Sequence, residues 1–132
     1  MVKFLGGLFQ KPKTSLYDRL GPDAVDAAVD ALYRKILADT RISRFFEDTD
    51  MDKLRHKQKV FVSMALGGPK YPGIDLRKAH APSLKYGLSD QHFDWVLDHL
   101  ENVLRDLQVA EEDIAVAIQG LEGTRAEVLG RP

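Results

Sequence analysis

Histidine is the residue type in this 132-residue chain most able to bind a metal or transfer a proton, and four are present: His56, His80, His92 and His99. His92 and His99 are about 10.5 Å apart along one predicted helix, which is too far for both to bind one metal ion. His56 stands among three cationic residues, which favours a solvated helix face. His80 lies on a short predicted helix between two loops, so its imidazole can face a ligand instead of the core.

Gln58 is a polar residue within the apolar face of a predicted helix that begins at Asp50 and ends at the Gly-Gly-Pro sequence of residues 67–69. The face repeats at steps of three and four residues, and its apolar members are Met51, Leu54, Phe61, Val62 and Ala65. A buried amide without a partner costs about 1–3 kcal/mol. We therefore expect another side chain or a bound polar ligand to meet Gln58 in the interior.

Tyr33 and Phe46 complete a pattern with Gln58 and His80. Tyr33 lies beside the inner stripe of its predicted helix, and Phe46 is one of two adjacent aromatic residues of which at least one must face inward. An inward tyrosine and glutamine would place two polar groups opposite the ligand nitrogen of the histidine. The apolar walls of such a cavity would be Phe46, Phe61 and Phe93. This combination is typical of a haem pocket.

The elements that must position these side chains are predicted to be all-α, because four long segments show helical periodicity and strand-like alternation is nearly absent. Ser15 can cap a short helix that ends at Gly21, and Pro22 opens a longer helix through Asp39. The remaining predicted segments are a turn at 40–46, a helix at 50–67, an irregular loop at 67–73, and helices at 76–81, 89–107 and about 110–129. Two antiparallel helix pairs stacked as a sandwich would bury all four long apolar stripes.

Composition excludes several functional classes. The absence of cysteine removes disulfides, thiolate metal sites and cysteine nucleophiles, and makes a reducing cytoplasm the simplest location. A net charge of -1 gives no sign of nucleic-acid binding, and the apolar stretches are far shorter than the ~20 residues of a membrane span. Residues 1–14 are predicted to be an extension of a domain at 15–132, with weak membrane-surface contact as the alternative.

The chain resembles the group I truncated haemoglobins, small globins with a two-over-two helical sandwich around a haem. The resemblance runs from about residue 15 to 131. It rests on SLYDRLG at 15–21, LY at 32–33, LAD at 37–39, FF at 45–46, KQ at 57–58, ALGGP at 65–69, Tyr71, Gly73, AH at 79–80 and HF at 92–93.

The resemblance implies a role for each candidate residue. His80 would be the proximal iron ligand, and Phe46 would pack on the porphyrin face. Tyr33 and Gln58 would be the distal hydrogen-bonding pair, able to bond each other when no gas ligand is present, and Leu54 would guard the ligand side. The implied haem contacts are Phe46, Leu54, Lys57, Phe61, Val62, Leu76, His80 and Phe93.

At two positions the residue and its role differ among the members of this family. Thr124 stands where some relatives carry a histidine bonded covalently to a haem vinyl group, so we expect noncovalent haem b. Lys57 stands at the position that, in some relatives, supplies a sixth iron ligand and, in others, pairs with a haem propionate. Iron binding requires a neutral amine and therefore a pKa well below the ordinary ~10.4 of lysine, so propionate pairing is the favoured role and iron ligation the alternative.

The resemblance implies a globin that binds oxygen, nitric oxide and carbon monoxide, and we expect it to be a cytoplasmic monomer. A donor to an oxygen ligand makes a charge-assisted bond of roughly 1.5–3 kcal/mol, which slows oxygen loss about tenfold to a hundredfold. High oxygen affinity favours nitric oxide dioxygenation supported by a reductase. The alternatives are an oxygen store or sensor without turnover, and a six-coordinate haem protein for electron transfer or for redox chemistry of peroxides or nitrogen oxides.

Overall fold

The structure is a computed structural model that describes residues 15–69 and 75–132. Its helices are α1 Leu16–Ala38, α2 Thr40–Ser43, α3 Met51–Ala65, α4 Leu76–Leu84, α5 Asp90–Asp106, α6 Glu111–Glu122 and α7 Arg125–Val128, with a 3-10 turn at Arg44–Phe46. No strand occurs in these two ranges, so the all-α prediction is confirmed. The proposed extension at 1–14 and most of the predicted loop at 67–73 lie outside the described residues.

The four long helices form two packed layers. Helix α1 packs on α3 and α5, and α6 packs on both α5 and α3, which gives the predicted two-over-two sandwich. The core is built from the inner faces of these helices, and its fully buried large side chains include Leu32, Ile36, Leu66, Leu100, Leu104 and Leu121. The apolar periodicity of the sequence therefore predicts both the helices and the faces that meet.

Gly21 divides α1 into the two helical segments that the sequence predicts. The backbone leaves the helical conformation at Gly21, where φ is +81°, and the chain kinks there. Glycine adopts this left-handed conformation without the steric cost of a Cβ atom, and Pro22 then restarts the helix. Ser15 caps the first turn as expected, because its hydroxyl accepts a hydrogen bond from the Asp18 amide at 3.1 Å.

The end of α3 is held against the start of α1. The Tyr17 amide donates to the Leu66 carbonyl at 2.9 Å, and the Tyr17 ring covers Gly68 so closely that a Cβ on Gly68 would lie 2.5 Å from it. A side chain at position 68 would therefore displace the tyrosine. Among the helices of the described ranges, none is long and apolar enough to span a membrane.

Two helix ends differ from the sequence prediction. Helix α4 continues past Pro82 to Leu84, although Pro82 was predicted to end it, because hydrogen bonds from the amides of residues 85–87 to carbonyls three residues earlier close the final turn. The predicted final helix breaks after Glu122, and α7 is a separate helix. At the break, the Thr124 hydroxyl donates to the Leu121 carbonyl at 2.7 Å.

Candidate functional site

His80 lies in the middle of α4 with one ring nitrogen already engaged. Asp75 caps this helix by accepting hydrogen bonds from the amides of Arg77 and Lys78 at 3.0 and 3.1 Å. The His80 Nδ1 lies 2.8 Å from the Leu76 carbonyl, and a carbonyl can only accept, so Nδ1 carries the proton. This leaves the Nε2 lone pair free, which is the tautomer that a metal-binding histidine requires.

The surroundings of His80 also favour its neutral form. Burial is the main cause that lowers its pKa below the ordinary value, and the positive charge of Lys57 lowers it further, against the opposing effect of the Leu76 hydrogen bond. A neutral imidazole with a free Nε2 can bind a metal at neutral pH.

Lys57 is exposed on α3, and within residues 15–69 and 75–132 no carboxylate forms an ion pair with it. A propionate could therefore bind its ammonium group without displacing a protein partner. The same absence of a carboxylate partner leaves the amine free to turn toward a metal bound by His80. The structure is consistent with both roles that the sequence left open.

Gln58 is buried on α3, as predicted, with 7% of its surface exposed. Its Oε1 atom has no hydrogen-bond partner among the described residues. An amide can donate through Nε2 and accept through Oε1, so Gln58 can serve either a ligand or a protein donor. A buried amide without a protein partner is one of the features found at binding sites.

Tyr33 does not bond Gln58, which corrects the expectation that the two residues satisfy each other. The Tyr33 hydroxyl donates instead to the Sδ atom of Met51 at 3.3 Å. Met51 itself is 42% exposed and not on the buried face where its spacing placed it, because it is the first residue of α3. Thioether sulfur is a weak acceptor, so Tyr33 can exchange this bond for a stronger one.

The predicted apolar wall residues are buried or partly buried. Leu54, Val62 and Phe93 are buried. The other predicted wall residues are partly buried against the core, and they are Phe46, Phe61 and Leu76. No residue of α4 is fully buried, and its main packing partner among the described helices is α7.

These residues fit a haem. A neutral imidazole with a free Nε2, an orphaned buried amide and a wall of apolar side chains supply the three things a haem requires: an axial ligand, a polar group for the gas and a dry surround. His80 could bind the iron from α4, while Tyr33 stands on α1 and Gln58 on α3. Lys57 could hold a propionate at the edge.

The other three histidines lie outside this site. His56 is exposed on α3 and lines a surface groove between α1 and α3. The His92 Nδ1 atom accepts from the Ser89 amide at 3.0 Å and so caps α5, and the His99 Nε2 atom lies 2.7 Å from the Asp39 carboxylate. Among the described residues, no three His, Asp or Glu side chains are grouped to hold a metal ion.

Arg125 is an important residue that the sequence did not single out. Its guanidinium binds the carboxylates of Asp90, Asp94 and Glu122, and it lies 4.5 Å from the centre of the Phe93 ring. This cluster joins α7 to the start of α5 and to one wall of the site. The partners in α5 lie more than 30 positions away in sequence, so no local spacing indicates the contact.

We expect Arg125→Gln to lower the free energy of unfolding by about 1–2 kcal/mol at pH 7, because several charge-assisted hydrogen bonds of a largely buried guanidinium are lost. The effect should shrink as the pH falls below about 4, because pairing with arginines lowers the pKa of Asp90 and Glu122, so their contribution exists only where these carboxylates are ionised. Urea unfolding at pH 7 and at acid pH measures both.

Arg105→Gln is the matched control. Arg105 pairs with Glu101 and Glu111 on the surface and is 45% exposed, against 19% for Arg125. Exposed ion pairs contribute about 0–1 kcal/mol, so this change should be the smaller one. Equal losses in the two variants would show that the Arg125 cluster has no special role.

Comparisons with known proteins agree with this geometry. Residues 15–129 match the model of the family described as bacterial-like globin. A group 1 truncated haemoglobin of Chlamydomonas moewusii is 43% identical over 89% of this chain and 70% of its own length. A group 1 truncated haemoglobin of Synechocystis is 41% identical over 89% of this chain and 99% of its own.

Solved structures show the same likeness. Chlamydomonas reinhardtii THB1 superposes with a TM-score of 0.81 at 38% identity, covering 90% of this chain and 99% of THB1. The 2/2 haemoglobin of a Synechococcus species, solved in the cyanomet state with covalently attached haem, gives a TM-score of 0.80 at 40% identity over 89% of this chain and all of its own. Haem-based gas binding is the shared activity of such globins. The chain belongs to the bacterial-like globin family, among the group 1 truncated haemoglobins.

Proposed function

We propose that this chain holds noncovalent haem b between α3 and α4, with His80 Nε2 as the proximal iron ligand, and that it converts nitric oxide to nitrate. The observation that carries the haem assignment is the Nδ1 hydrogen bond of His80 to Leu76, which fixes the tautomer and leaves Nε2 free. Phe46, Leu76 and Phe93 would pack on the macrocycle. Leu54, Phe61 and Val62 would exclude water from the gas side.

When bound, the haem supplies a ferrous iron that binds diatomic gases and gives up one electron as oxygen and nitric oxide combine to nitrate. Tyr33 and Gln58 hold the gas in place. Once the Tyr33 hydroxyl leaves Met51, it and the Gln58 Nε2 donate hydrogen bonds toward the ligand. Two donors favour the ligand that carries most negative charge, so oxygen is retained over carbon monoxide.

Rapid mixing tests the dioxygenase activity. Ferrous protein is equilibrated with oxygen and then mixed with nitric oxide. It should become ferric on the time scale of rapid mixing and release one nitrate for each haem oxidised. Sustained turnover should require an electron donor protein such as a reductase. Ferric conversion without nitrate, or no fast conversion, would reject this activity while leaving gas binding intact.

An oxygen store is the second candidate, supported by the same pair of distal donors. The two functions differ in turnover and not in affinity. The comparison is made with nitric oxide, a reductase and its reductant all present. A store would show no sustained consumption of nitric oxide, whereas a dioxygenase would consume nitric oxide in each cycle. Size-exclusion chromatography of the haem-loaded protein tests the associated proposal that it is a monomer.

Lys57 supports a third candidate, a six-coordinate haem protein for electron transfer or peroxide chemistry, because it directly precedes the buried Gln58 on α3 and no described carboxylate pairs with it. We expect Lys57→Met to convert a split six-coordinate ferrous spectrum to a five-coordinate one if the amine binds iron. If Lys57 pairs with a propionate, the spectrum should stay unchanged and haem loss should accelerate about two- to tenfold, as for one surface ion pair. Absorption spectra and haem transfer to an acceptor globin measure both.

Lys59→Met is the control for this prediction, since Lys59 lies on the same helix but lines the groove between α1 and α3. It should change neither the spectrum nor the rate of haem loss. The noncovalent attachment is checked separately by acid solvent extraction. Thr124 offers no imidazole for a vinyl bond, so the haem should extract completely.

A further inference from the structure

Met51 connects the protein surface to the hydroxyl of Tyr33. It begins α3 with 42% of its surface exposed, and its Sδ atom accepts the Tyr33 hydrogen bond at 3.3 Å. Met64, the other methionine of the described ranges, is only partly exposed and lies near the far end of the same helix. The accessible thioether is therefore also the one that contacts the tyrosine of the proposed gas site.

We propose that Met51 is an oxidation site through which peroxides control the Tyr33 hydroxyl, an inference that rests on the proposed role of Tyr33 in gas binding. Hydrogen peroxide transfers one oxygen atom to Sδ. The sulfur loses two electrons and forms an S–O bond, the peroxide O–O bond breaks, and the second peroxide oxygen leaves as water. No protein nucleophile or metal is needed for this step.

Oxidation of Met51 changes the acceptor of the Tyr33 hydrogen bond from a sulfur atom to an oxygen atom. A thioether sulfur accepts hydrogen bonds weakly, whereas the sulfoxide oxygen is polar and accepts strongly. The Met51 side chain has three rotatable bonds and lies at the surface, so the new oxygen can turn toward the hydroxyl without strain in the core. The bond that Tyr33 already makes therefore becomes stronger.

Tyr33 has one hydroxyl proton to donate. With Met51 reduced and no gas bound, Tyr33 bonds the sulfur and leaves Gln58 Oε1 without a partner. A gas ligand that carries negative charge is a better acceptor than sulfur, so it can draw the hydroxyl inward. When Met51 is oxidised, the sulfoxide competes for the same proton. Oxidation should therefore remove one of the two donors to the gas and shorten its stay, and a methionine sulfoxide reductase should restore it.

The test uses the ferrous carbon monoxide complex, in which the bound gas keeps peroxide from the iron. The protein is treated with hydrogen peroxide, freed of peroxide with catalase, and digested for mass spectrometry. Met51 should gain one oxygen before Met64 does. The C–O stretching frequency should rise as the donor withdraws, and oxygen release, measured after exchange of the gas, should accelerate about tenfold or more.

Two variants show whether oxidation of Met51 or of Met64 causes the change in oxygen release. Met51→Leu keeps the side-chain volume but cannot be oxidised, so peroxide should not change its oxygen release. Met64→Leu should respond to peroxide as the unaltered protein does. Treatment of the oxidised protein with methionine sulfoxide reductase should return the original rate, which distinguishes this effect from destruction of the haem.

The proposal is overturned if Met51 is oxidised with no change in oxygen release, or if Met51→Leu responds like the unaltered protein. Failure of the proposed function is a separate result, seen as no gas binding before any peroxide is added. Even then the contact itself is testable. The carbon NMR signal of the Tyr33 ring atom that bears the hydroxyl should shift on oxidation of Met51, and an unchanged signal would reject the link.

Discussion

Replacing His80 by glycine is expected to abolish stable haem binding, and free imidazole is expected to restore it. His80 combines a free Nε2 with a lowered pKa, so it can present a neutral ring to iron. Loss of an outer partner of a metal ligand typically costs 10–100-fold in affinity, and loss of the ligand itself should exceed about 100-fold. Haem titration followed by the haem absorption band measures the affinity, and added imidazole should fill the space left by the side chain.

His56→Gly is the control for His80→Gly, because His56 also lies within a helix and is exposed on α3. Both variants carry the cost of a glycine in a helix, about 1 kcal/mol. Only the His80 change should reduce haem affinity and respond to imidazole. If His80→Gly kept the spectrum and haem affinity of the unaltered protein, the iron ligand would be a different residue.

The sequence was sufficient for features that depend on local pattern. Gln58 was found because a polar residue interrupts an apolar stripe, and the structure confirms that it is buried. The two-layer fold follows from the same periodicity, which states which face of each helix must be covered. Local signals also found the caps of α1 and α5, since Ser15 and Ser89 each precede an amphipathic segment.

Features that depend on long-range contacts were not predictable in this way. The Tyr33 hydroxyl contacts Met51, 18 positions away, and not Gln58. Arg125 gains its partners only after α7 folds against the start of α5. Helical periodicity predicts which helix faces are apolar, but it does not predict which polar atoms form hydrogen bonds or ion pairs.

Gln58→Leu is expected to stabilise the haem-free protein and to weaken oxygen binding by the haem-loaded protein. The buried Oε1 atom has no partner, so replacing the amide by an apolar side chain of similar size should raise the free energy of unfolding by about 1–2 kcal/mol. The same change removes the Nε2 donor and should accelerate oxygen release about tenfold to a hundredfold. A substitution that raises stability and weakens ligand binding is expected where a polar group is retained for binding.

Gln119→Leu is the control, since it makes the same change on the exposed surface of α6. It should leave both the unfolding free energy and oxygen release almost unchanged. Urea unfolding without haem and stopped-flow oxygen displacement measure the two effects. A loss of haem-free stability in Gln58→Leu would show that the amide has a partner in solution and is not an unsatisfied group.

Combining Gln58→Leu with Tyr33→Phe tests whether the two side chains act on the same gas ligand. Tyr33→Phe alone should also accelerate oxygen release about tenfold to a hundredfold, because one charge-assisted donor is lost. If both residues donate to one ligand and orient each other, the double variant should release oxygen more slowly than the product of the two single effects predicts. Strict additivity would mean that the hydroxyl and the amide act independently. In that case the exchange of Tyr33 between Met51 and the gas would have to proceed without help from Gln58.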